Sequence, residues 1–203
     1  MPDTGAPYFI PFADPTDLVR DWPALSEDVA EAVADGLDGA GGLVAVKSAI
    51  FTGIQDASVL AGDNLAVTDL EITHALADAS NKLIISAFLG SAGSGQDFGR
   101  VGIAVHDGTD LIAIGDEDGN RTRVTAGGRV QGTGVANSTL VVAMPSVTFV
   151  HTPNTTDSKT YTVRAIHVGA GTRTLFINRS EDNTNDEGRP RGVSSLVIQE
   201  VRA

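Results

Sequence analysis

The sequence predicts an all-β chain, an antiparallel β-sandwich preceded by an extended N-terminal segment and a short helix. Three observations carry that reading. From Leu43 onward apolar residues recur with a period of two, with no helical period between the runs. The runs are separated by short stretches of turn chemistry. The composition, 23 glycines and only 5% aromatic residues in 203, suits strands joined by tight turns better than an aromatic-lined cleft.

The strand candidates are Leu43–Phe51, Leu70–Ala77, Lys82–Leu89, Arg100–His106, Asp110–Ile114, Leu140–Val150, Thr160–Val168, Thr174–Asn178 and Ser194–Val201. The last is the clearest, with Leu196, Ile198 and Glu200 on one face against Val197, Gln199 and Val201 on the other. Turns are expected at Asp63-Asn64, Ser80-Asn81, Asp107-Gly108, Asp118-Gly119-Asn120 and Gly169-Ala170-Gly171. There is no sustained heptad and no fixed-period repeat.

Ahead of the sandwich the composition changes twice. Residues 1–13 contain Pro7-Tyr8-Phe9-Ile10-Pro11-Phe12. Prolines at this density forbid a helix, and such a peptide has no core of its own. Tyr8, Phe9, Ile10 and Phe12, joined by Leu18 and Trp22, are therefore candidates for attachment to another protein. Residues 14–42 read as a helix and a glycine-rich hinge. Asp14 caps, Pro15 takes the first helical position, and the pattern restarts at Pro23. Leu25, Val29, Val33 and Leu37 then form one narrow apolar stripe on an otherwise acidic helix. So short a helix is marginal alone. Its stripe must pack on the sandwich, on copies of itself, or on another protein.

Charge follows the same division. The chain carries −12; residues 1–42 hold nine acidic side chains and one basic, giving −8. No basic patch is available for a nucleic acid, and the acidic face suits solvent or a basic surface on another subunit. The longest apolar stretch, residues 140–150, contains Pro145 and is too short to insert in a membrane. The start has no basic region followed by an apolar run, so it does not read as a signal peptide. There is no cysteine, which removes disulfides and thiolate chemistry.

Catalytic and cofactor signals are weak, and the expectation is no enzyme and no cofactor. His74, His106, His151 and His167 show no metal-ligand spacing and read as satisfied or surface histidines. Gly90-Ser91-Ala92-Gly93-Ser94-Gly95 lacks the lysine of a phosphate loop and reads as a flexible loop. The acidic loops at 115–120 and 182–188 alternate oxygen ligands as calcium loops do, but without the EF-hand register, and read as solvated turns. Glu181 and Asp182 are sequence neighbours on a loop, which gives no measure of the carboxylate separation that glycoside hydrolysis requires.

Several segments, in order, resemble one family. These are Val44–Thr52, the stretch Ile72–Ile85 with its Ser80-Asn81-Lys82 step, Thr160–Ala165 followed by Leu175–Ser180, and the closing Arg191–Val201. Together they are similar to the C-terminal jelly-roll domain of phage tail-fibre and fibre-like proteins. The head, Pro7–Pro11 with Asp14–Leu25, resembles the opening of fibre and minor structural proteins of phages. The resemblance implies a jelly roll of tumour-necrosis-factor-like form over residues 43–203, usually a homotrimer. It implies a virion component assembled in the bacterial host cytoplasm: a short tail fibre or spike held to other virion proteins by its N-terminus and facing a host surface glycan or protein. No long shaft separates head and body, so a capsid decoration protein is the alternative.

Overall fold

The alternation read from the last strand organises the whole body. The computed structural model describes residues 42–94, 100–128, 142–185, 187, 189 and 191–203. The expected extended anchor, the helix and its stripe, and the attachment candidates Tyr8, Phe9, Ile10, Phe12, Leu18 and Trp22 lie outside these residues.

Among the described residues the chain is all-β. Its strands are β1 (Leu43–Phe51), β2 (Gln55–Leu60), β3 (Asn64–His74), β4 (Lys82–Phe88), β5 (Gly93–Ser94) and β6 (Val101–His106). Then come β7 (Leu111–Ile112), β8 (Ala126–Gly128), β9 (Ser146–His151), β10 (Lys159–His167), β11 (Thr172–Ile177) and β12 (Ser194–Val201). Every pairing between them is antiparallel. One sheet runs β1-β12-β4-β9; a second runs β3-β10-β6-β7, with β8 also on β6; a small third runs β2-β11-β5.

The pairings are nested. β1 pairs with β12, β3 with β10, β4 with β9, and β6 with β7 and β8. The described strands thus form one long hairpin, rolled so that β12 also meets β4 and β10 also meets β6.

One face of each sheet turns inward. Leu83, Ile85 and Ala87 of β4 and Leu196 and Ile198 of β12 pack with Leu70 and Ile72 of β3, Val101, Ile103 and Val105 of β6, and Tyr161, Val163 and Ala165 of β10. All are buried, as period-two alternation requires when one face of each sheet is covered.

Most expected strands are present with shifted ends, and β1 and β12 have the expected bounds. Three strands were not expected: β2, β5 and β8. The Gly90–Gly95 stretch is a correction. Residues 90–94 are buried rather than a flexible loop: Gly93-Ser94 pairs with β11, and Ala92 bridges to Ala143. The physical reason is close backbone approach. A Cβ on Gly90 would stand 2.5 Å from the Val193 carbonyl oxygen, and one on Gly192 2.6 Å from the Gly90 carbonyl carbon. Only glycine lets these two segments lie against each other.

Candidate interaction surface

Among the described residues, the outward face of the β1-β12-β4-β9 sheet carries several exposed large apolar side chains. Register places its side chains in rows. Val46, Gln199, Ile84 and Val150 form one row; Ser48, Val197, Ser86 and Thr148 the next; Ile50, Ser195, Phe88 and Ser146 the third. Val46, Ile50 and Val150 are 52%, 61% and 62% exposed. In the middle row the Ser86 and Thr148 hydroxyls hydrogen-bond each other at 3.0 Å. Lys82, at a corner beside Val201, carries a charge on this face. A face with one charge at its corner and exposed β-branched side chains is the kind of surface that protein interfaces cover.

The other sheet is finished differently. Its outward positions include Glu71 opposite Thr162 and Arg164 opposite Ala104. Val124 lies over Gly102 so closely that a Cβ there would stand 2.3 Å from the valine methyl. That face carries charge and its own covering, so the two faces of the sandwich are not equivalent.

The ends of the sandwich are closed by polar side chains rather than apolar ones. At one end Asn178, in the left-handed region at φ 61°, ties four segments together. Its side-chain amide donates to the carbonyls of Phe51 and Gly53, both at 2.8 Å, and its oxygen accepts from the Ser194 hydroxyl at 2.7 Å. The Ser194 hydroxyl in turn accepts from the Gly90 amide at 3.0 Å.

At the opposite end lies a layer of titratable groups. Glu200 on β12 is 1% exposed. One of its oxygens accepts from the Ala77 amide at 2.8 Å and the Asn81 side chain at 2.6 Å; the other contacts the His74 ring nitrogen at 2.8 Å. Burial works against ionising this carboxyl, yet the bonds from Asn81, Ala77 and His74 outweigh it and hold the group below the usual carboxylate range. Asp107 follows the same logic. Burial opposes its charge, but Lys159 and the amides of Asp110 and Thr109 bind it and hold it well below the ordinary value. His151 stands edge-on to Tyr161 with 5.9 Å between ring centres. Its Nε2 is buried and has no hydrogen-bond partner. Burial pushes its proton affinity down, against the pull of Asp107 and with the push of Lys159. Burial, then the charge of Asp107, raises the Tyr161 hydroxyl to about 12.

The expected satisfied or surface histidines therefore divide. His74 is buried and bonded, and the His106 Nδ1 accepts from the Gly108 amide at 3.0 Å. His151 and His167 each have a buried ring nitrogen with no partner, a feature that no local sequence pattern marks. The acidic residues of 115–120 are exposed, and Asp118 pairs with Arg121 at 2.9 Å. Asp182 is bound by Arg189 and the Thr184 amide. Among the described residues no group of three or more His, Asp or Glu is placed to hold a metal ion. A shallow groove on the outer face of β2 and β11 is lined by Ser58, Thr172, Thr174, Arg179 and Glu181, with Arg179 held by Asp56 at 3.1 Å.

No family model matches the chain, and no curated protein matches it. A solved structure described as "Bacillus endospore appendages form a novel family of disulfide-linked pili" aligns with 81% of this chain and 95% of its own, at 14% identity and a TM-score of 0.25. Likeness at that level carries no argument about fold or function.

Proposed function

We propose that this chain is a non-enzymatic structural subunit of a bacteriophage particle, a short trimeric tail fibre or spike. Its first forty residues attach it to other virion proteins, and a jelly-roll body of tumour-necrosis-factor-like form faces the host surface. The nested pairing of strands, a hairpin rolled into two facing sheets, supports the jelly-roll reading. The observation that carries the trimer is the outward face of the β1-β12-β4-β9 sheet, apolar apart from hydroxyls, Gln199 and the corner Lys82. Threefold closure would bury Val46, Ile50, Ile84 and Val150 against neighbouring copies, each worth roughly 1.5–3 kcal/mol when fully covered.

Light scattering on the purified chain should give three times 20.9 kDa. Val46→Asp combined with Val150→Asp should give a folded protomer of one-third that mass. A monomeric wild type at micromolar concentration overturns the trimer. Deleting residues 1–38 should leave a folded body that no longer enters particles; incorporation at normal copy number would move attachment to the body. Copy number also separates a fibre, at a few trimers per particle, from a capsid decoration protein at hundreds of copies.

A further inference from the structure

We propose that the polar end layer is an acid-operated latch with His151 as its trigger: protonation of His151 loosens β9 from β10 and frees the loop of residues 152–158. The inference does not depend on the proposed function.

Its basis is the way the two sheets meet at this end. Across the first sheet, Glu200, Leu83 and His151 share one inward row. Across the second, His74 is paired with Lys159, while Asp107 follows the end of β6 and reaches Lys159 at 2.5 Å. Glu200 to His74 is therefore one bridge between the sheets, from β12 to β3. His151 against Tyr161 is another, from β9 to β10. The groups facing His151 are the Tyr161 ring, the Lys159 ammonium and the Asp107 carboxylate.

The neutral imidazole fits this setting and the cation does not. Protonation would put a second positive charge beside Lys159 and a donor at a buried nitrogen that has no acceptor. The Asp107 carboxylate cannot answer it freely, because it is already bound to Lys159 and to the amides of Thr109 and Asp110. The adjoining loop has little else to hold it. Its hydrogen bonds, Asn154 to the Thr152 carbonyl and Thr155 with Asp157, run within the loop. Its grip on the body is through its flanks, His151 on one side and Lys159 on the other.

The direction with pH follows from burial lowering the proton affinity of His151 below its ordinary 6.5. The unfolded chain then binds the proton first, so the stabilising contribution is complete above about pH 6.5 and is lost as pH falls toward the folded value. Glu200 and Asp107, also depressed, lose their contributions only below 4.5 and 3.8. The latch thus yields in two stages, His151 first and the carboxylates later.

Hydrogen exchange on the full chain at about pH 7.5 and about pH 5.5, corrected for intrinsic rates, reads this directly. Protection at the Asp157, Thr109 and Asp110 amides, and at the facing ends of β9 and β10, should fall severalfold at the lower pH. His151→Phe, or His151→Gln if the larger ring does not fit, should abolish that dependence. His167→Gln, at the opposite end of the sandwich, should leave it in place. His167 is also buried and also disfavours its proton, so a global measurement alone would not separate the two. Equal protection of the wild type at both pH values overturns the latch. So does a fall that survives both His151 variants, or one that His167→Gln removes.

Discussion

Replacing Glu200 by alanine should be among the most damaging single changes in the body. The side chain is fully buried and serves three donors or partners at once: the Ala77 amide, the Asn81 side chain and the His74 ring. Alanine leaves all three without their acceptor. A buried group stripped of its partner costs about 1–3 kcal/mol. Three groups orphaned together, each toward the lower end of that range, place the total near about 4 kcal/mol. For a body of this size each kcal/mol lowers the melting temperature by about 2–4 °C, so the drop should be roughly 8–16 °C. Glu200→Gln keeps one acceptor oxygen for Ala77 and Asn81 and should cost about half as much. The assay is scanning calorimetry at fixed protomer concentration, since association would shift the midpoint by mass action. An alanine variant within about 1 kcal/mol of wild type, or a glutamine variant equally damaged, would refute the bookkeeping of bonds at this end.

Asn178→Ala should lose two bonds to backbone carbonyls and one from Ser194, and leave alanine at a φ of 61°, for a cost of about 3 kcal/mol by urea midpoint. Asn178→Asp should do no better, because its oxygen would face the Phe51 and Gly53 carbonyls. Gly192→Ala meets backbone, at 2.6 Å from the Gly90 carbonyl carbon and 2.9 Å from the Ser91 nitrogen, and no rotamer relieves it. It should destabilise by about 1–3 kcal/mol in the same assay.

The strands that could be read from the sequence are those where burial and alternation coincide. Ser194–Val201 alternates residue by residue because one face meets the core, and Leu43–Phe51 is set off by glycines and its apolar run. β2 was missed because Gln55-Asp56-Ala57-Ser58 presents small and polar side chains, and its pairing with β11 is what makes it a strand. The first half of β3 was missed for a related reason: Asp69, at φ 58°, breaks the alternation inside a strand that tertiary pairing continues across. Burial of Gly90–Ser94 was hidden because glycine and serine look alike in a mobile loop and in a close backbone contact. Glu200 showed its inward register in the sequence, but its partners come from residues 74–81, and only the fold brings them together.

The order of the strands also bears on how the chain is made. One interior strand of each large sheet comes from its last quarter: β10 lies between β3 and β6, and β12 between β1 and β4. During synthesis β1, β3, β4 and β6 emerge long before the strands that join them. A ribosome-bound chain therefore cannot stabilise a half-built sandwich, and its unpaired edges stay open to neighbours on the same message. Folding should be a late, slow step dominated by pairing between distant segments, and newly made chains should depend on dilution or chaperone shielding until residues 194–201 are free to insert.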